Sequence, residues 1–173
     1  MDKKEKIRAS AARDNLVARR MNIRAGKQSA EHHLELYASL KGVDYINDSK
    51  SCDLDSAWLS LEKIPKPIVW ILGGTSREND YAQMCGIVGE KAHTLICMGK
   101  DSTRIFHDLH LCAKLILQAK DINEAVKIAS MISQKGDAIL FSPACPSYDA
   151  YANYEDRGRQ FKAAVDKIEW GGI

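Results

Sequence analysis

Apolar positions along this chain recur with two alternating periods, and the alternation defines its elements. Leu34 to Leu40 and Val43 to Ile46 carry apolar residues at strand spacing on either side of Lys41-Gly42, which predicts a hairpin. Leu54, Ala57, Trp58 and Leu61 then fall at i, i+3, i+4 and i+7, one face of a helix that Ser51 or Asp53 would cap. Trp58 belongs to that buried face. Pro65 and Pro67 stop the helix, and a continuous apolar strand, Ile68 to Leu72, runs into Gly73-Gly74. Beyond it the pattern predicts a helix over 80–86, a strand over 94–98, a helix over 102–110 and a short strand over 115–117. Asp121-Ile122-Asn123-Glu124 has the form of a capping box, and Ile122, Ala125, Val126, Ala129 and Ile132 supply the buried face of its helix. Gly136 is expected to close that helix. A strand over 138–141 and a last helix carrying Phe161, Ala164, Val165 and Ile168 complete the chain.

Strands and helices thus alternate almost throughout, the signature of a parallel sheet with helices on both faces. The expected fold is α/β, a Rossmann-like three-layer domain with a mostly parallel sheet of about six strands and one antiparallel edge strand. Open sheets of this kind bind ligands beyond the carboxyl ends of their strands. Polar and glycine residues gather there. The first parallel strand delivers Asn47-Asp48-Ser49-Lys50, the second Gly73-Gly74, a third Gly99-Lys100 and the last Ser142-Pro143. Lys50 suits a carboxylate or phosphate, Asp48 a hydroxyl or a metal-bound water, and the amide end of the following helix an anion. A polar turn that only caps a helix would read the same way.

Other motifs are weaker. No phosphate-cradling G-x-x-x-x-G-K-[ST] loop occurs, and Gly73-Gly74-Thr75-Ser76-Arg77-Glu78 lacks its second spaced glycine, although Arg77 offers a fork for a carboxylate. The adjacent His32 and His33 would point to opposite strand faces with no third ligand, so no metal site is expected. His107 and His110, one turn apart, read as structural or surface residues. Cys52 and Cys145 lie at strand ends without a nearby histidine to activate a thiolate, so a cysteine nucleophile is not expected.

Length and charge narrow the picture. At 173 residues the chain has room for one domain with a sizeable core. It carries no secretory leader pattern and no apolar run of membrane-crossing length, and its five cysteines lack paired short spacing. Reduced thiols and a cytoplasmic location are expected. Net charge is +2, yet the first thirty residues hold nine Lys/Arg against three Asp/Glu. Residues 1–31 are expected to form a basic helical arm or linker. Such an arm suits an anionic surface, but the patterned aromatics of a nucleic-acid binder are missing, so nucleic acid is not the expected partner.

Three blocks in order, Ile46-Asn47-Asp48-Ser49-Lys50, Gly73-Gly74, and Ser142-Pro143-Ala144-Cys145-Pro146-Ser147-Tyr148-Asp149 running on to Gly158, resemble the carboxyl-terminal domain of the Mur ligases, nearest to those that add D-glutamate. The resemblance runs from His32 to the end and implies that 32–173 is the amino-acid-binding domain, with 1–31 as the tail of a central domain. It implies a parent that adds D-glutamate to UDP-N-acetylmuramoyl-L-alanine in cytoplasmic peptidoglycan precursor synthesis. ATP first phosphorylates the acceptor carboxyl, and the amine of D-glutamate then attacks the acyl phosphate. Asp48 and Ser49 would lie at the nucleotide, Asp48 at its ribose. Lys50 would serve catalysis and the phosphates. Cys52, Arg77, Ser147, Tyr148 and the backbone near Tyr154 would face D-glutamate. ATP and Mg²⁺ would be held mainly by domains outside this chain, supplied in cis or by a separate chain, so no cofactor is expected bound tightly here and the domain alone is not expected to turn over. Departures from the family are specific: Cys52 stands where a threonine is usual, Arg77-Glu78 where Lys-Gly is usual, Pro146 where alanine is usual, and His33 where arginine is usual. They leave a second reading, a free-standing ligase-like domain that binds another small carboxylate or a protein partner.

Overall fold

The computed structural model describes residues 30–75, 78–148 and 150–170. The expected basic arm therefore lies outside the described residues as far as residue 29. The chain opens with a hairpin of β1 (Glu35–Leu40) and β2 (Val43–Asn47), paired antiparallel with Leu40 opposite Val43. Lys41 and Gly42 both take positive φ, 52° and 82°, as a two-residue turn with the twist of its flanking strands requires. Thereafter come α1 (Leu54–Lys63), β3 (Ile68–Leu72), a 3₁₀ turn over Tyr81–Met84 leading into α2 (Cys85–Lys91), and β4 (Ala92–Met98). They are followed by α3 (Ser102–Leu109), β5 (Leu115–Ala119), α4 (Ile122–Ile132), β6 (Ala138–Phe141) and α5 (Tyr154–Trp170).

The six strands lie in the order β1-β2-β6-β3-β4-β5, with every pair except β1–β2 parallel. This is the α/β sheet expected, with one antiparallel edge. β6 returns between β2 and β3, so the chain reverses its winding there and leaves a crevice above three strand ends. Side-chain alternation sorts the core into two layers. Ile68, Trp70 and Leu72 of β3 face one side with Ala57 and Leu61 of α1, Val88 of α2 and Ile105 of α3. Val69 and Ile71 face the other with Val126 of α4 and Phe161 of α5, whose ring stacks on Phe141 at 4.9 Å. Trp58 is half-buried against the first layer.

Four expectations change. Asp53, rather than Ser51, caps α1, in a reciprocal box with Ser56. The helix expected over 80–86 is a 3₁₀ turn followed by an α-helix that runs on to Lys91. Gly136 does not close α4. Ser133 leaves in an extended conformation while its hydroxyl donates to the Ala129 carbonyl at 2.7 Å, and Gly136 sits in the turn beyond at φ 103°. Finally, the cysteines are not all thiols. Cys85 at the start of α2 and Cys112 ahead of β5 are disulfide-bonded, because the packing of α2 beside the entrance to β5 brings their Cα atoms to 5.4 Å.

Candidate functional site

The loop after β2 is held from below by buried polar groups. Asn47 donates to Glu35 Oε2 at 3.1 Å and bonds His32 Nδ1 at 2.9 Å, and its Oδ1 accepts the Ser49 amide at 3.2 Å. Asp48 is fully buried. Its Oδ1 accepts the Leu34 amide at 3.0 Å and lies 3.3 Å from Nδ1 of half-exposed His33; its Oδ2 accepts the Ser142 hydroxyl at 2.8 Å. Asp48 thus joins the opening hairpin to the end of β6 through an inward-facing carboxylate. Ser49 is buried as well, and its hydroxyl has no hydrogen-bond partner among the described residues. Lys50 differs: its backbone amide donates to the His32 carbonyl at 3.0 Å while its side chain stands in solvent at the crevice edge. Among the described residues nothing pairs with its ammonium.

The loop after β6 forms the facing wall. Ala144 adopts φ 57°, and Asn79 donates to its carbonyl at 2.7 Å. Ser147 is buried, its carbonyl accepts from Tyr151 at 3.0 Å, and its hydroxyl makes no hydrogen bond to a described residue. Tyr148 is 79% exposed, while Tyr154 opens α5 half-buried, edge-on to His32 with ring centroids 6.1 Å apart. The structure therefore gathers Asp48, Ser49, Lys50, Cys52, Ser147 and Tyr154 around the end of β6, with Tyr148 turned outward. Arg77 and Asp149 lie outside the described residues.

Two glycines let the third wall approach. Gly73, at φ 102°, donates to the Pro143 carbonyl at 2.9 Å, and a Cβ on Gly74 would strike Cys145 Sγ. Only glycine leaves the backbones of β3, β4 and the β6 loop this close. Burial pushes the Cys145 thiol up to about 11, with Arg157 opposing, so it is not a thiolate at neutral pH.

Arg157 was not singled out in the sequence as a support of the site, yet it is 1% exposed and grips carbonyls of both loops. Asn47 and buried His32 were likewise not read as the supports of the site. Burial and the nearby Lys162 charge lower the His32 pKa.

For cofactors, the donor chemistry is one-sided. The solvent-facing Lys50 ammonium fits a phosphate. Among the described residues there is no group of three or more His, Cys, Asp or Glu that could hold a metal ion. A cleft of about 480 Å³ with Lys66, Lys91, His93 and Lys114 in its walls opens at the opposite, amino edge of the sheet, remote from these loops. No described helix is long and apolar enough to cross a membrane.

Comparison with known proteins places the chain in a family. Residues 32–145 match the family model of the Mur ligase glutamate ligase domain. A UDP-N-acetylmuramoylalanine–D-glutamate ligase of Cytophaga hutchinsonii is 41% identical over 141 residues, 82% of this chain and 31% of the relative. Its counterpart in Christiangramia forsetii is 39% identical over 168 residues, 95% of this chain and 38% of the relative. The chain spans about a third of the length of these curated relatives. Among solved structures, a murein peptide ligase of Psychrobacter arcticus superposes with TM-score 0.55 at 9% identity, covering 82% of this chain and 31% of that one. A UDP-N-acetylmuramate–alanine ligase of Thermotoga maritima gives 0.51 at 14%, covering 84% and 31%. The latter two speak for the fold alone. With two thirds of its residues inside the family model, this chain belongs to the Mur ligase family through its glutamate ligase domain.

Proposed function

We propose that this chain is the amino-acid-binding domain of an ATP-dependent, amide-forming ligase that joins D-glutamate to UDP-N-acetylmuramoyl-L-alanine in the cytoplasm. The observation that carries the reading is the crevice above β6. One wall offers the ammonium of Lys50 and the other the hydroxyl of Ser147, neither paired among the described residues. A small molecule bearing carboxylates fits between a cation and a hydroxyl donor. The curated relatives are named as D-glutamate ligases.

In this reading Ser147 and the backbone near Tyr154 hold the side-chain carboxylate of D-glutamate with Cys52 beside them, Arg77 is a further carboxylate ligand, and the outward-facing Tyr148 takes no part. Their work is to place the amine, and positioning of this kind supplies much of the rate in a two-substrate condensation. Lys50 neutralises charge where phosphate departs. Asp48, with Ser49 beside it, fixes the edge against which a nucleotide ribose would rest, and His33 is the exposed group that it orients. Bound ATP supplies the phosphoryl group that activates the acceptor carboxyl. In this reading the metal is held mainly by the remaining domains, as the family resemblance implies.

The test is reconstitution. The chain alone should release no phosphate from ATP with UDP-N-acetylmuramoyl-L-alanine and D-glutamate. Joined to the two missing domains of a relative, it should release phosphate in a D-glutamate-dependent way, and Lys50→Ala should lower kcat by at least about a hundredfold. A chimera that folds and binds ATP but ignores D-glutamate would overturn the reading. Cys52 favours the second reading, a ligase-like domain for another small carboxylate or a protein partner. A thiol is a weaker donor than the threonine hydroxyl usual there, and this one is turned toward Arg157. Turnover with a different amino acid in the same chimera would select it.

A further inference from the structure

Arg157, in the first turns of α5, is among the largest fully buried side chains of the protein. A buried guanidinium ordinarily meets a carboxylate, and this one meets none among the described residues. Its acceptors are backbone carbonyls of two separate loops. Nη1 donates to Cys145 at 2.8 Å and Pro146 at 3.1 Å, both in the loop after β6. Nη2 donates to Ser49 at 2.8 Å and Ser51 at 3.4 Å, both in the loop after β2. Each nitrogen also lies 3.8 Å from a sulfur, Nη1 from Cys145 and Nη2 from Cys52. Gly158 supports the placement. A Cβ there would collide with His32 and Ser49, so only glycine lets α5 come close enough for its neighbour to reach both loops.

We infer that Arg157 is a positioning residue that sets the gap between the two walls of the amino-acid site. This rests on the function proposed above. The planar fork holds Ser49 and Ser51 on one prong and Cys145 and Pro146 on the other at a fixed spacing, and the flanking Lys50, Cys52 and Ser147 inherit it. A lysine would keep the charge and lose the fork.

The three free thiols report the test. Cys52 is half-buried in one wall, Cys145 lies under Arg157 in the other, and Cys97 is buried in β4 among core residues. Site-resolved iodoacetamide labelling of the wild-type chain should modify Cys52 and spare Cys97 and Cys145. In Arg157→Lys, Cys145 should label at least tenfold faster while Cys97 stays protected, which separates released loops from a lost fold. D-glutamate should slow Cys52 labelling in the wild type and fail to do so in Arg157→Lys at the same concentration. Cys145 as protected as Cys97 in a folded Arg157→Lys would overturn the inference. So would undiminished protection of Cys52 by D-glutamate in that variant. Should the variant not fold, the wild-type guanidinium answers instead. Four carbonyl bonds predict separately resolved Nη protons by NMR, and one averaged signal contradicts the grip. Absence of D-glutamate protection in the wild type would count against the functional reading, whereas the Cys145 and guanidinium results judge the brace itself.

Discussion

The same substitution at two helical glycines should move stability in opposite directions. Gly158 lies in α5, where an added Cβ would fall against His32 Nδ1 and Ser49 Oγ and 2.7 Å from His32 Cε1. Gly86 lies in α2 with nothing within 4 Å of its added Cβ. Both replacements gain helix propensity, up to about 1 kcal/mol. Gly86→Ala gains about 0.5 kcal/mol or more and has nothing to set against it. Gly158→Ala adds overpacking, for which one extra carbon in a full core costs about 1–3 kcal/mol. The upper part of that range applies. The atoms it meets belong to a short serine and to an imidazole bonded to Asn47, neither of which can swing aside. The net is a loss of about 1–2 kcal/mol for Gly158→Ala, or roughly 3–6 °C in Tm for a chain of this size. Gly86→Ala should rise by roughly 1–3 °C. Thermal unfolding followed by circular dichroism at pH 7.5 measures both. A Gly158→Ala melting at or above the wild type would refute the close approach of α5 to the β2 loop, and with it the seat of Arg157.

Two further outcomes are expected. His32 titrates below its ordinary 6.5, through burial first and Lys162 second, so below pH 6.5 the unfolded chain binds a proton that the folded chain refuses. Stability is full above 6.5 and falls as pH drops toward the lowered value; Tm should decline between pH 7.5 and 5.5, and His32→Asn should flatten that slope, an unchanged slope counting against it. Denatured without reductant, the chain should show three thiols, Cys52, Cys97 and Cys145, and five after reduction; five in both states would mean that Cys85 and Cys112 are separate.

The sheet was legible because its central strands announce themselves. Ile68 to Leu72 and Ala138 to Phe141 are continuous apolar runs bounded by proline, glycine or serine, and both were read at their true limits. The helix ending at Lys91 was cut short because Gly86 and Gly89 resemble stops, whereas one glycine faces open space and the other makes only ordinary contact with the Cys112 carbonyl. In the site, Lys50 was legible as a polar residue at a strand end, and Ser147 only through the family resemblance. Arg157 was not, because its partners are main-chain carbonyls and no side chain marks them in the sequence. Asp48 was read as reaching outward for a ribose, but pattern alone does not reveal that Leu34 and Ser142 both draw on its carboxylate from within.

The most direct measurement of the central claim is a ¹⁵N–¹H titration of this chain with D-glutamate and, separately, with L-glutamate. The account predicts saturable shifts confined to the loops around Lys50, Cys52 and Ser147, stronger for the D-enantiomer and abolished by Ser147→Ala. Equal shifts for both enantiomers, shifts that survive Ser147→Ala, or shifts gathered at the amino-edge cleft of Lys66, His93 and Lys114 would contradict it.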